Sequence, residues 1–551
     1  MNWNIKKEII NLREKEKGFK LTKRGGDVSI LLIYPNAYSV SINNLGYVGI
    51  YEIFNKCQGI LCERAYIPND WRKRTDFRLY SIESFKSLSE FDALAFSVSF
   101  ELDFLNIVYI LSRENIPLFS YERDDSYPLI VGGGIALSAN PEPLADIFDI
   151  LFIGEGEELV KEFSEYLIFK KEKKLNKKEF FEILKNVEGI YIPSVEQKLP
   201  IKRRIYLNFE NDPMVSPIIS ENAVFSNMAL CELVRGCKYQ CRFCLAGYFY
   251  RPYRSSTIEV INKKLKEFYD FSPKIGLIVP AIDPNLNLRE IENMFCNGEV
   301  LLSFSSLRLE DINEDLLSLI EKSGQKTVTI APETGTDRLR IVLNKGFSNE
   351  DILNFVNKLK NYKIKTLKLY FMLGLPTEKS EDIEGIYSLV REIRKLNPKV
   401  EISVSFSTFI PKPHTPFQWE KMENEEYIVS TQKVLSEKLR EIKRVRIEME
   451  DYFWSFWQGV FSRGDRNLNK LWKEIYENKE ISVSILKKFM RNNEDLFLNY
   501  LNKKDKNDVL PWDVVDTGVR KDYLWREREK AYEGKLTMAC RKNCNACGVC
   551  T

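Results

Sequence analysis

The sequence predicts an α/β protein of several domains, and three observations carry that reading. Short apolar runs alternate with helical stretches across 26–193, the alternation repeats across 223–423, and from 424 onward the periodicity is mainly helical. Strands separated by helices make βαβ units and so parallel sheets. The 551 residues exceed what one core holds. They divide into an N-terminal helical extension (1–25), a Rossmann-like domain (26–193), a linker (194–222), a TIM-like partial (β/α) barrel (223–423), a helical C-terminal region (424–535) and a cysteine-rich tail (536–551).

Taken in order, 3–24 places Ile5, Ile9, Ile10 and Leu12 on one face of an amphipathic helix whose basic residues are a solvated face. In the first domain the expected strands are 28–33, 93–98, 129–131 and 150–153, with helices at 45–54 and 102–111. Their ends carry Tyr34-Pro35-Asn36, Ser97-Val98-Ser99, Gly132-Gly133-Gly134 and Gly154-Glu155-Gly156-Glu157. In sheets of this kind ligands bind beyond the carboxyl ends of the strands, where glycine lets backbone come close. The linker holds several prolines and few periodic apolar positions. The barrel strands are expected at 228–233, 275–279, 300–304, 327–330, 366–371 and 401–406, and Ser256-Thr257 caps the helix that follows the first of them. Strand ends at 305–308, 331–335, 373–376 and 410–416 are where a barrel gathers its functional groups.

Composition narrows the function classes. With 44% hydrophobic and 29% charged residues the chain is globular, and 82 basic against 79 acidic residues (net +3) argue against a dedicated nucleic-acid binder. No apolar run approaches the ~20 residues that span a bilayer, and the first residues lack the apolar core of a signal peptide. A cytoplasmic protein is expected, in which 11 cysteines serve metals rather than disulfides. Cys57, Cys62, Cys231 and Cys296 stand alone and read as small core residues. The other seven fall in two clusters.

The first cluster is Cys237, Cys241 and Cys244, C-x3-C-x2-C with Phe243 before the last cysteine. Three thiolates from one loop grip an iron–sulfur cube and leave one of its four irons without a protein ligand. Structural zinc wants four ligands, and the chain's single histidine, His414, is far off in sequence. An open iron suits the amine and carboxylate of S-adenosylmethionine, whose reductive cleavage is cofactor chemistry that uses the protein for positioning. The second cluster is Cys540, Cys544, Cys547 and Cys550, C-x3-C-x2-C-x2-C. Its ferredoxin-like spacing favours a second [4Fe–4S] cluster, with zinc the alternative. A tail so placed would fold back toward the barrel to relay electrons, bind substrate or donate sulfur.

Around the first cluster, placement gives roles. Glu333 would accept from ribose hydroxyls or serve as a helix N-terminal carboxylate. Arg308 would grip the ligand's carboxylate, Gly374 would let adenine lie on backbone, and Phe243 offers that ring an apolar contact. His414, in a proline-fenced loop, is either structural or close to the substrate.

On the cysteine motif, the chain resembles the radical S-adenosylmethionine superfamily. The Leu373–Pro376 turn is similar to that superfamily's GLP turn, while Val279-Pro280-Ala281 stands where its GGE signature is expected. The ordered serine pair, glycines and GEGE turn resemble the cobalamin (B12)-binding domain that precedes many such barrels. That resemblance implies that Ser97, Ser99, Gly132, Gly133 and Gly134 line the tail of cobalamin. The D-x-H-x-x-G motif that supplies cobalt with a histidine is absent, so cobalamin binds without a protein ligand below the metal, or the domain kept the fold and lost the cofactor. Tyr34-Pro35-Asn36, GEGE, KPHTPFQW (412–419), SRGDR (462–466) and the tail together resemble one group of such enzymes, of largely unassigned substrate. The expected function is methylation of an unactivated carbon, with a ferredoxin or flavodoxin as reductant and no membrane or strong nucleic-acid partner. Sulfur insertion using the tail cluster, or a non-enzymatic iron–sulfur carrier, are the alternatives.

Overall fold

The computed structural model describes residues 3–23, 25–68, 71, 77–266, 274–282, 288–295, 301–304, 307–540, 544 and 546–550. The expectations at Cys296, Ser305 and Ser306 lie outside these residues.

The first domain is a six-stranded sheet in the order Ile60–Ile67, Val28–Ala37, Ala93–Ser97, Leu129–Gly133, Ile150–Phe152 and Ile190–Tyr191. The first five run parallel, and the last closes the edge antiparallel. Strand order reverses between Val28–Ala37 and Ala93–Ser97, which makes the ends of these two strands the switch point. Ile60–Ile67 was not expected, because Glu63 and Arg64 interrupt its apolar run. Every residue in it is buried. Arg64 is tolerated there because it pairs with Glu16 at 2.7 Å and Glu83 at 2.8 Å.

The N-terminal helix stops at Glu14 rather than reaching 24. Glu16–Gly18 instead pairs antiparallel with Ile218–Ser220. Farther up the linker, Ile201–Lys202 pairs with Val515–Asp516. The segment expected as a plain connector is thus stitched to both ends of the chain.

Among the described residues the middle region has seven parallel strands in two sheets. Met228–Glu232, Lys274–Ile278 and Leu301–Phe304 form one sheet, and Thr327–Glu333, Thr366–Leu373, Glu401–Thr408 and Val445–Met449 the other. The Leu307–Ile330 bridge joins them into an open barrel. Val445–Met449, within the segment expected to be mainly helical, is a partly exposed edge strand with Arg446 and Glu448 in it. Along Thr366–Leu373, Leu367, Leu369, Phe371 and Leu373 are buried and Lys368, Tyr370 and Met372 half-buried. This period of two puts the first set under the outer helices and leaves the second on the concave face.

C-terminal helices close the molecule. Asn469–Asn478 packs on Asp103–Arg113 of the first domain, and Trp472 donates to the Pro143 carbonyl at 2.6 Å. Arg463 of the SRGDR stretch is buried and donates to the carbonyls of Tyr500 (2.6 Å), Gln418 (2.8 Å) and Pro411 (3.2 Å). Among the described residues no helix is long and apolar enough to cross a membrane.

Candidate active site

The strand Met228–Glu232 runs through Val234–Arg235 into the cysteine loop, which ends in the helix Ala246–Phe249. Gly236 makes the turn at φ +78°, and an added Cβ would lie 2.6 Å from the Tyr250 carbonyl oxygen. Asp311, in the short helix that follows the Leu301–Phe304 strand, anchors the loop. It accepts from the Tyr239 hydroxyl at 2.7 Å, lies 3.2 Å from the Lys238 ammonium and accepts from the Ile282 amide at 2.9 Å. Burial and the nearby Cys241 and Cys244 push the Cys237 thiol up to about 12, and burial with Cys241 raises Cys244. The three sulfurs are therefore close enough to feel one another's charge in a partly buried place, where a metal would relieve the repulsion between their thiolates.

Arg308 reaches the same point. Its guanidinium donates to the Cys241 sulfur at 2.8 Å and to Glu310 at 2.8 Å, and its centre lies 3.7 Å from the centroid of the Tyr239 ring. Here it is committed to the loop itself. Glu333 ends its strand at φ +65° and accepts from Lys345 at 2.8 Å, close enough to Cys244 to raise that thiol's pKa. The helix after it, Asp337–Val342, is capped by the Thr336 side chain. Gly374 sits at φ +79° and donates its amide to Glu378 at 2.8 Å. Burial lifts Glu378 to about 7 despite that bond and a second from the Tyr427 hydroxyl at 2.8 Å. Phe243 packs in one apolar cluster with Leu375 and Met372, beside the Gly374 turn.

Ser97, Ser99, Gly132, Gly133 and Gly134 all line a single cavity of about 430 Å³ at the strand ends of the first domain. Ser99 accepts from the Asn44 amide at 3.0 Å. Gly134, at φ +107° with the Val98 carbonyl where a Cβ would go, is required by the fold itself. Gly133 is not so confined, since an added Cβ would meet only Phe152, at 3.5 Å. Glu232, Arg235, Tyr250 and Ile278 of the barrel close the far side.

Several residues escaped the sequence reading. Arg235, two positions before Cys237, pairs with Glu157 at 2.6 Å, Glu155 at 3.0 Å and Glu232 at 2.6 Å. Arg254 pairs with Glu155 at 2.6 Å. Burial alone would raise Glu155, but Arg254 and Arg235 hold its pKa below the usual carboxylate value. The GEGE turn of the first domain is thereby tied to both ends of the cysteine loop, a use its spacing alone does not reveal. Lys412 likewise links the 410–416 loop to Glu101 at 2.5 Å.

His414 takes the structural alternative. It is buried with Nε2 3.0 Å from the Ala139 carbonyl oxygen, and burial lowers its pKa to about 4. The tail folds back against the cysteine loop, and the Cys540 amide donates to the Lys238 carbonyl at 2.7 Å. Burial raises Cys540, and Cys550, Cys544 and Cys547 raise it further, so the four tail thiols share one neighbourhood. Among the described residues no three of His, Cys, Asp and Glu form a single-ion site.

Two family models match the chain, "Radical SAM proteins, N-terminal" over 46–193 and "Radical SAM superfamily" over 231–390. An uncharacterized protein of Methanocaldococcus jannaschii is 30% identical over 470 residues, covering 84% of this chain and 94% of that one. A tRNA-2-methylthio-N(6)-dimethylallyladenosine synthase of Clostridium tetani is 25% identical over 184 residues, 30% of this chain and 40% of that protein. Among solved structures, the cobalamin-dependent S-adenosylmethionine radical enzyme OxsB aligns over 94% of this chain and 82% of its own, at 14% identity and a TM-score of 0.48. With the second model spanning the cysteine loop and the strands that carry Arg308, Glu333 and Gly374, the chain belongs to the radical S-adenosylmethionine superfamily.

Proposed function

We propose that this enzyme methylates an unactivated carbon of its substrate, with cobalamin as the methyl carrier. The observation that carries the reading is the cavity between the two domains. It opens where the first sheet's parallel strands end, and its far wall is the strand pair that delivers Cys237. Its 430 Å³ suits a nucleotide-sized tail rather than a whole corrin ring. Ser97 and Ser99 would hold that tail through their hydroxyls, and Gly133 would let it lie against backbone.

Cys237, Cys241 and Cys244 are a donor set that fits a [4Fe–4S] cube with one iron open to the amine and carboxylate of S-adenosylmethionine. When bound, these groups supply a 5′-deoxyadenosyl radical and a methyl group. The chain's own side chains position and shield. Glu333 accepts from ribose hydroxyls, the Gly374 turn pinned by Glu378 receives adenine, and Phe243 keeps water from that ring. On the concave face Tyr370 is left for the substrate, with Lys368 beside it paired to Glu448 at 3.4 Å.

Protein isolated without oxygen in the presence of cobalamin tests this. A corrinoid absorption spectrum, together with 5′-deoxyadenosine released under dithionite, is expected. A chain that makes 5′-deoxyadenosine but retains no corrinoid overturns the methylation reading.

Sulfur insertion is the second reading, favoured by the methylthio-forming relative and the four tail thiols. It requires a thiolated product that disappears in a Cys540→Ala/Cys547→Ala variant.

A further inference from the structure

The tail is laced to the cysteine loop along its length. Arg242 donates to the Lys535 carbonyl at 2.7 Å, and Asn344 exchanges two hydrogen bonds with Thr537, at 2.7 and 3.1 Å. Gln240 donates to the Met538 carbonyl at 2.7 Å, and the Cys540 amide to that of Lys238 at 2.7 Å. Cys540 and Cys237 are thus separated by one hydrogen bond and one peptide step of ~3.8 Å.

A second link runs through side chains. Cys547 is 3% exposed, in an apolar cluster with Tyr248, Trp419, Trp512 and Tyr523. It is hydrogen-bonded to Arg251, which also donates to the Gln240 side-chain oxygen at 3.0 Å. The Tyr523 hydroxyl donates to that same oxygen, and the Tyr248 hydroxyl to the Gln240 carbonyl at 3.1 Å. Gln240 lies between Cys237 and Cys241, so the surroundings of Cys547 and the first cysteine loop meet at one buried residue.

We propose that the four tail cysteines hold a second iron–sulfur cluster that takes electrons at the surface and passes them to the cluster at Cys237, Cys241 and Cys244. This rests on the reading of those three residues as cluster ligands. Position favours relay over sulfur donation. The tail engages the loop at Lys238, Gln240 and Arg242, whereas Arg308 and Glu333, on the ligand-binding side, meet it at Cys241 and Cys244. Cys540, Cys544 and Cys550 are partly exposed, and Leu536 (51%) and Met538 (69%) beside them are open to solvent. Among the described residues of this stretch, Arg520, Lys521, Arg526, Lys530 and Lys535 are exposed or partly exposed against Asp522, Glu529 and Glu533, while Arg528 and Glu527 are buried. That surface suits an acidic, low-potential one-electron donor of the ferredoxin or flavodoxin class. For each electron moved, the donor is oxidised once, the tail cluster is reduced and reoxidised, and the first cluster is reduced once. No bond in the protein forms or breaks.

The test compares full-length, anaerobically reconstituted protein with its Cys540→Ser/Cys547→Ser variant. Iron per chain should fall by about half in the variant. Reduction of the remaining cluster by reduced flavodoxin, followed by freeze-quench electron paramagnetic resonance, should slow at least about tenfold, while dithionite still reduces it fully. Arg251→Gln, which keeps every thiolate, should retain all the iron and slow the flavodoxin reaction in the same direction. Equal flavodoxin rates in the wild-type and doubly substituted proteins, or zinc in the wild-type tail, overturn the relay. Absence of 5′-deoxyadenosine from the wild type under dithionite would instead overturn the reading of the first cluster.

Discussion

The Arg308 guanidinium stands 2.8 Å from the Cys241 sulfur, held flat by the Tyr239 ring and clamped by Glu310. Hydrogen bonds to cluster sulfurs raise the reduction potential. Arg308→Gln should therefore make the first cluster harder to reduce, seen as a lower midpoint in a redox titration followed by electron paramagnetic resonance. An unchanged midpoint with weakened S-adenosylmethionine binding would return Arg308 to the carboxylate-gripping role that its place at the strand end suggests.

His414 makes a pH experiment clean, because the chain has no other histidine. Its folded pKa of about 4 lies below the ordinary 6.5, so between these values the unfolded chain binds the proton first. Stability from this residue is present above pH 6.5 and is lost as pH falls toward 4, by roughly 3 kcal/mol at most. Glu378 and Asp103, both raised to about 7 by burial, act in the opposite direction as pH rises. The informative quantity is therefore the melting temperature of wild type minus that of His414→Gln, which should fall between pH 7 and pH 5.

Glu155 is the common partner of Arg235 and Arg254. Glu155→Gln leaves three buried cations, Arg203 at 3.8 Å included, short of a counter-charge, a change that costs about 3–5 kcal/mol in comparable sites. A large drop in melting temperature is expected, together with lower iron retention at the first cluster, because Arg235 enters the cysteine loop. Full iron at a normal melting temperature would detach the first domain from the loop's geometry.

Gly374→Ala tests the turn assigned to adenine. The backbone there is left-handed, and the new methyl would lie 3.0 Å from Ile428 and 3.1 Å from Glu423. A loss of about 1–3 kcal/mol is expected. S-adenosylmethionine binding should weaken by calorimetry while the cluster's iron stays in place.

Much of the architecture was legible because its strands carry short apolar runs, as at 30–33 within Val28–Ala37 and 369–373 within Thr366–Leu373. Ile60–Ile67 was hidden by Glu63 and Arg64, whose burial makes sense only once Glu16 and Glu83 pair with Arg64 and the Ser84 hydroxyl donates to Glu63. Val445–Met449 was hidden because an edge strand need not be apolar. The cysteine clusters were legible from spacing alone. Arg235, Asp311, Gln240 and Arg251 were not, since what gives each its role lies far away in sequence, 80 positions in the case of Arg235 and Glu155.

The pairing of Ile201–Lys202 with Val515–Asp516 has a consequence for biogenesis. About 310 residues must leave the ribosome between one strand and its mate, roughly 15–60 s of synthesis. Until then the segment between the two α/β units has an unfilled edge, and Arg203 lacks the Thr517 carbonyl that accepts from it. Nascent chains truncated before 515 should be markedly easier to cleave by protease near 201 than the finished polypeptide.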